Sequence, residues 1–175
     1  DGRMLAITEK AGGRLVNKDR MWHYTEGIKN WNQIWPLHGI RILPGPSSIW
    51  LDATGQRFSA PNFPGFDTLG TLEAIQRTGY DYSWFILTEK IIEKEFALSG
   101  SEQNPDLTGK SIKQVLKRIL PGPTAPVKAF MENGEDFIVS NNLSDLVDGM
   151  NKITGDNLLN LEHIENQLLA RDREM

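Results

Sequence analysis

Ile49-Trp50-Leu51-Asp52-Ala53-Thr54-Gly55-Gln56-Arg57-Phe58 is the stretch that decides how the rest of the chain is read. Ile49 and Leu51 alternate with Trp50 and Asp52, the period of two that a strand shows. Ala53-Thr54-Gly55-Gln56 places a glycine where a tight turn needs one, and Arg57-Phe58-Ser59 returns, so Pro46 to Ser59 reads as a β-hairpin. Most other strong signals in the chain are helical. A hairpin among irregularly alternating helices and short strands sets the expected class: α+β, with a small mixed or antiparallel sheet and several packed helices.

Working outward toward the C-terminus, Pro61 to Asp67 is a loop dense in Pro and Gly. Thr68 or Thr71 is expected to cap a helix carrying Leu72 and Ile75, which Gly79 closes. Tyr82 to Leu87 reads as a strand, rich in aromatic and branched residues. Thr88 opens a helix whose period is set by Ile91, Ile92, Glu95 and Phe96, and a polar, turn-rich stretch runs from Ser99 to Gly109. Ser111 to Leu120 is helical and stops at Pro121-Gly122-Pro123. A helix over Pro126 to Glu132, a strand at Phe137-Ile138-Val139, and two helices capped by Asn142 and Asn160 complete this half.

Toward the N-terminus lies an aromatic-rich segment from Met21 to Trp35, and four of the five tryptophans fall between Trp22 and Trp50. Such density either covers a core or lines a binding surface, and the core reading is the ordinary one. Leu5, Ala6, Ile7 and Ala11 recur at helical spacing, with Gly12-Gly13 as the stop. Helical sequence at Asp1 and again at Leu168 to Met175, without caps, raises the expectation of a segment cut from a longer chain.

The totals narrow the classes. At 175 residues, with 39% hydrophobic and 24% charged, the chain suits one soluble globular domain. A net charge of -4 argues against a nucleic-acid partner, and no apolar run is long enough for a membrane span. There is no cysteine, which excludes disulfides and thiolate chemistry; a cytoplasmic location fits. His23, His38 and His163 lack metal-ligand spacing, so no metal is expected. His163 reads as a solvated helix residue.

Direct chemical signals are few. Glycine-rich dinucleotide turns, serine nucleophile elbows and zinc-protease motifs are all missing. Arg41 stands before the rigid loop Pro44-Gly45-Pro46-Ser47-Ser48, which could aim its guanidinium at a carboxylate; a plain surface arginine is the alternative. Asp1-Gly2 is a weak candidate for meeting a cofactor through bare backbone, and an ordinary helix cap otherwise.

Several segments, in order along nearly the whole chain, resemble one family. Asp1-Gly2-Arg3-Met4-Leu5-Ala6 with Ala11-Gly12-Gly13 resembles the Gly-Asp-Gly helix of FAD-dependent fumarate reductases and 3-ketosteroid dehydrogenases. The hairpin sequence is similar to their strand-turn-strand motif. Asn142-Leu143-Ser144-Asp145-Leu146, followed by Asn160-Leu161-Glu162, resembles the closing helical pair of their cap. Asp19 to Gly27 and Glu95 to Gly109 look closest to a bacterial branch of FAD-binding dehydrogenases.

This resemblance implies an anatomy and a chemistry. Residues 1–175 would form a single capping domain with short flanking pieces, and the Rossmann-type lobe that holds FAD would lie elsewhere in the same polypeptide. Hydride would pass between flavin N5 and a carbonyl- or carboxylate-activated small-molecule substrate, and this segment, closing over the substrate, would bind no flavin and be inactive alone. His23 and Thr25 fall where fumarate reductases carry His-Pro-Thr, with Tyr24 in place of the proline, which implies a substrate-facing His23. Arg41 is the candidate for the family's substrate arginine. Phe66 stands in the loop where ketosteroid dehydrogenases place a catalytic tyrosine, and it has no hydroxyl. These departures point to the family's flavin chemistry and away from fumarate and from steroid Δ1-dehydrogenation; no catalytic acid or base is assigned. The competing expectation is a free-standing binding module that uses Trp22, Trp31 and Trp35 for an apolar ligand or a protein partner.

Overall fold

Asp52 closes the hairpin. Its Oδ1 accepts hydrogen bonds from the Thr54 amide (2.8 Å), the Thr54 hydroxyl (2.7 Å) and the Gln56 amide (3.1 Å). Gly55 sits at φ 87°, and a Cβ there would lie 2.8 Å from Cδ1 of Ile164. Conformation and crowding both demand glycine at this turn. The Phe58 amide then bonds the Trp50 carbonyl (3.1 Å) and pins the returning chain.

The computed structural model describes residues 2–20 and 23–173. In chain order these form α1 (Arg3–Lys10), β1 (Gly27–Lys29), β2 (Gly39–Leu43), β3 (Ile49–Asp52), α2 (Thr68–Arg77), β4 (Ser83–Ile86), α3 (Glu89–Lys94) and β5 (Ala97–Leu98). Then follow α4 (Pro105–Thr108), α5 (Ile112–Leu116) with a 3-10 turn at Lys117–Ile119, α6 (Ala125–Asn133), α7 (Leu143–Thr154) and α8 (Leu161–Arg173). Two small antiparallel sheets result, one ordered β1-β2-β5 and the other pairing β3 with β4. The fold is α+β, as expected.

Strand β4 is the wall between two cores. Phe85 packs into a core built on Ile40, Ile42, Phe96, Leu98 and Phe130, whereas Trp84 and Ile86 face one built on Leu51, Val147, Met150 and Ile164. Alternating side chains of one strand thus serve both cores. Strand β3 is sealed on both faces: Ile49 and Leu51 enter the second core, while Trp50 stacks on Phe85 with ring centroids 4.7 Å apart. Helices α7 and α8 cover the second core, each started by an asparagine: Asn142 Oδ1 accepts from the Asp145 amide and Asn160 Oδ1 from the His163 amide.

Several expectations are corrected. Phe137-Ile138-Val139 pairs with no strand; it crosses between the cores, Phe137 entering one and Ile138 the other, with Ile138 against the notch left by Gly149. Asp67, not Thr68 or Thr71, caps α2, because its carboxylate reaches the Gly70 amide (2.8 Å). The helix after Thr88 ends at Lys94, so Phe96 leads into β5. Trp31 and Trp35 are 43% and 53% exposed and are not core residues, while Trp22 lies outside the described residues. His163 is only partly solvated, packed beside Gly55 and Gln167. Strands β1, β2 and β5 were not anticipated; β1 and β2 pair across the 30–38 connection, and β5 joins β2 from a distant part of the sequence.

Candidate functional site

The β1–β2 ribbon forms one wall of an open cleft of about 730 Å³, bordered by Tyr24, Glu26, Lys29, His38, Arg41 and Asp136. That size lies within the range of small-molecule sites, roughly 300–1,000 Å³. Pairing sets Gly27 opposite Arg41 and Lys29 opposite Gly39, so the ribbon carries a cation at each end and bare backbone between.

The two cations differ. Lys29 is neutralised: its ammonium lies 3.3 Å from Glu135 and 3.7 Å from Asp136, and its amide donates to Asp136 (2.9 Å). Asp136 first, then Glu135, holds the lysine above its ordinary pKa. Arg41 lies over Tyr24, guanidinium carbon 3.8 Å from the ring centroid. Its Nε is buried with no hydrogen-bond partner. The cation–π contact with Tyr24 holds the guanidinium in place.

Two further buried polar atoms near this strand lack partners, Thr25 Oγ1 and Glu26 Oε2. Glu26 is 2% exposed, and its other oxygen accepts the Gly65 amide at 2.7 Å. An unmade bond at such a group costs about 1–3 kcal/mol. His38, also buried, stacks under Trp35 (centroids 3.8 Å) and takes the Asn30 side-chain amide at Nδ1 (3.1 Å).

The expected residues divide. His23 Nε2 lies 3.1 Å from the Thr68 carbonyl at the start of α2. Phe66, 74% exposed, stands edge-on to Phe63 in the loop that Glu26 holds through Gly65. Residues 23–26 and the 61–67 loop are therefore tied together, and Arg41 joins them through Tyr24. Of His23, Thr25, Arg41 and Phe66, Arg41 alone borders the cleft itself. Gly2 is exposed at φ 72° ahead of α1, and Asp1 lies outside the described residues. Glu26 was missed, because a glutamate beside aromatics carries no sign of its burial; Gly27 and Gly39 were missed because their strands were.

Among the described residues no group of three or more His, Cys, Asp or Glu could hold a metal ion, and no helix is long and apolar enough to cross a membrane.

The family model described as the FAD binding domain matches residues 1–175. The chain belongs to this family. Within it, the chain is 57% identical over 175 residues to a "KsdD-like steroid dehydrogenase" of Mycolicibacterium smegmatis, covering 100% of this chain and 32% of that protein. It is 58% identical over 176 residues to a KsdD-like steroid dehydrogenase of Mycobacterium tuberculosis, covering 100% of this chain and 31% of that protein. The chain thus spans about a third of the length of the relatives it matches. No solved structure matches it.

Whether these residues suit the family's dinucleotide is a question of geometry. A pyrophosphate needs a short glycine-rich turn delivering a strand into a helix N-terminus. Among the described residues β4 reaches α3 through Leu87-Thr88, β5 reaches α4 through a connection with a single glycine, and β3 reaches α2 only through the long 53–67 loop. None of these is such a cradle.

Proposed function

We propose that residues 1–175 are the substrate-side, capping part of an FAD-dependent oxidoreductase, with the flavin-holding lobe elsewhere in the same longer polypeptide. The observation that carries this reading is the family match over the full chain, joined to 57% identity with a dehydrogenase about three times its length. Flavin bound by that lobe supplies hydride exchange with the substrate carbon.

The residues of this chain do the rest. Arg41, held over Tyr24, donates to a carbonyl or carboxylate oxygen of the substrate and stabilises charge that develops there. The 61–67 loop, anchored by Glu26, carries Phe63 and Phe66 as an exposed apolar surface outside the cleft. His23, against the Thr68 carbonyl, ties down the segment that connects the two. The names of the steroid dehydrogenases this chain resembles support a steroid as the substrate. Phe66 leaves the catalytic acid to a residue outside that loop.

The test is spectroscopic. The longer polypeptide should purify yellow, with flavin absorbance that bleaches on reduction, while residues 1–175 alone stay colourless and show no turnover. A longer polypeptide free of flavin would sink the reading.

The exposure of Trp31, Trp35 and Leu37 favours one second reading, a binding module acting on its own. It requires a change in tryptophan fluorescence when an apolar ligand is added to residues 1–175 alone.

A further inference from the structure

An amphipathic helix ordinarily turns its apolar stripe toward the core. The segment running from α5 through its 3-10 turn does the opposite. Ile112, Leu116 and Ile119 recur at i, i+4 and i+7 and so share one face. With Leu120 they are exposed, from 57% at Leu116 to 78% at Ile112 and Ile119. Arg118 holds the segment this way round. Its Nη2 donates to Asp106 Oδ1 and to Asn104 Oδ1, each at 2.8 Å, and Asp106 is buried. A polar pair thus faces the body of the protein while the apolar stripe faces water. Four large apolar side chains side by side call for a covering surface.

Charge says what kind of surface it is. The whole chain carries a net charge of -4, yet residues 107–131 hold Lys110, Lys113, Lys117, Arg118 and Lys128 and not one acidic residue. Arg118 is taken by Asp106, and Lys128 lies 3.9 Å from Glu132. Lys113 and Lys117, one helical turn apart, run beside the stripe, and Lys110 precedes it. All three lysines are exposed, and none forms an ion pair among the described residues. A partner that was only apolar would cover the stripe and leave these cations without counter-charge. An anionic bilayer takes both: the branched side chains enter the acyl boundary, and the ammonium groups stay among the headgroups. Trp31 and Ile34, both exposed, line a groove with Pro105 and Pro126, at the starts of α4 and α6 on either side of α5. Tryptophan suits the headgroup level of such a surface.

We propose that the outward stripe of Ile112, Leu116, Ile119 and Leu120, with Lys110, Lys113 and Lys117, docks the protein on an anionic lipid surface. The contact is peripheral, one short amphipathic segment lying in the interface plane. Apolar burial and headgroup attraction each supply part of the affinity.

Co-sedimentation of the longer polypeptide with vesicles tests it, using phosphatidylcholine alone and phosphatidylcholine mixed with phosphatidylglycerol. Wild type should bind the anionic vesicles at least about tenfold more tightly than the neutral ones. Raising the salt from about 0.1 M to about 0.5 M should remove most of that difference. Lys113→Gln with Lys117→Gln should weaken binding to anionic vesicles about tenfold or more, and so should Leu116→Gln with Ile119→Gln. Both double variants should keep the wild-type Tm, since all four side chains are exposed. A folded wild type that stays off both kinds of vesicle overturns the proposal, and so does equal binding to the two. Anionic binding left unchanged by Leu116→Gln with Ile119→Gln reduces the face to a patch of charge and overturns it as well. In that same variant of the longer polypeptide, a lower Tm assigns the stripe to a contact inside the chain, and a lower mass by light scattering assigns it to a second copy. Either result overturns the lipid surface.

Discussion

Arg41 shows how the setting of a single residue can rest on a contact that its sequence neighbours do not display. Sequence pointed to it through the rigid loop Pro44 to Ser48, and that loop is indeed rigid: Gly45 sits at φ 83° against Glu95, whose carboxylate takes the Ser47 amide. What aims the guanidinium, however, is Tyr24, a residue distant in sequence. A lysine cannot lie flat on that ring with the same donors, so Arg41→Lys in the longer polypeptide should cut kcat/KM for a ketone substrate about tenfold or more, with Tm little changed. Steady-state kinetics beside a thermal melt checks it. Leu51 makes a simpler case. It is fully buried on β3, between α7 and β4, and Leu51→Ala should cost about 2–5 kcal/mol in a urea titration.

At the scale of elements, what was legible was what carries local punctuation. Helices α7 and α8 announced themselves through Asn142 and Asn160, and both caps are made. Asn142→Ala should therefore cost about 1 kcal/mol, read from the shift in urea midpoint. The α4–α5 segment depends on a polar staple that no spacing rule exposes. Arg118 grips Asp106 through two hydrogen bonds and also reaches Asn104, whose side chain binds the Leu98 and Gly100 carbonyls. The guanidinium pulls the Asp106 carboxyl down from the usual 3.8 to about 2. Because the folded value lies below the unfolded one, the staple's contribution is complete above about pH 4 and is lost as pH falls through about 2. Urea midpoints of wild type and Asp106→Asn should differ at pH 6 and converge between pH 4 and 2. Strands β1 and β5, of three and two residues, are too short to show a period; β2 does alternate, with Ile40 and Ile42 buried on either side of Arg41, and all three gain their ladders only from one another.

Across the whole molecule, the apolar surface is unevenly covered. Met4, Leu5 and Ile7 on α1, and Ile112, Leu116 and Ile119 on α5 and its 3-10 turn, are all more than half exposed. Helices with such faces ordinarily find a partner surface. Residues 1–175 in isolation should consequently associate at micromolar concentration, and Leu116→Gln with Ile119→Gln should lower the mass seen by light scattering toward that of a monomer. If the double variant associates as strongly as wild type, that face is not the one responsible.

The sequence by itself determined the α+β class, the hairpin, the capped helices and, through ordered motifs, the flavoprotein family, because each of these is written in neighbours a few residues apart. Only the tertiary structure decided that β4 divides two cores, that Glu26 is buried, that Arg41 lies over Tyr24, and that Gly27 and Gly39 sit on one wall of a cleft. Those features come from residues that meet after long separations, where burial and pairing depend on every other contact being made at once.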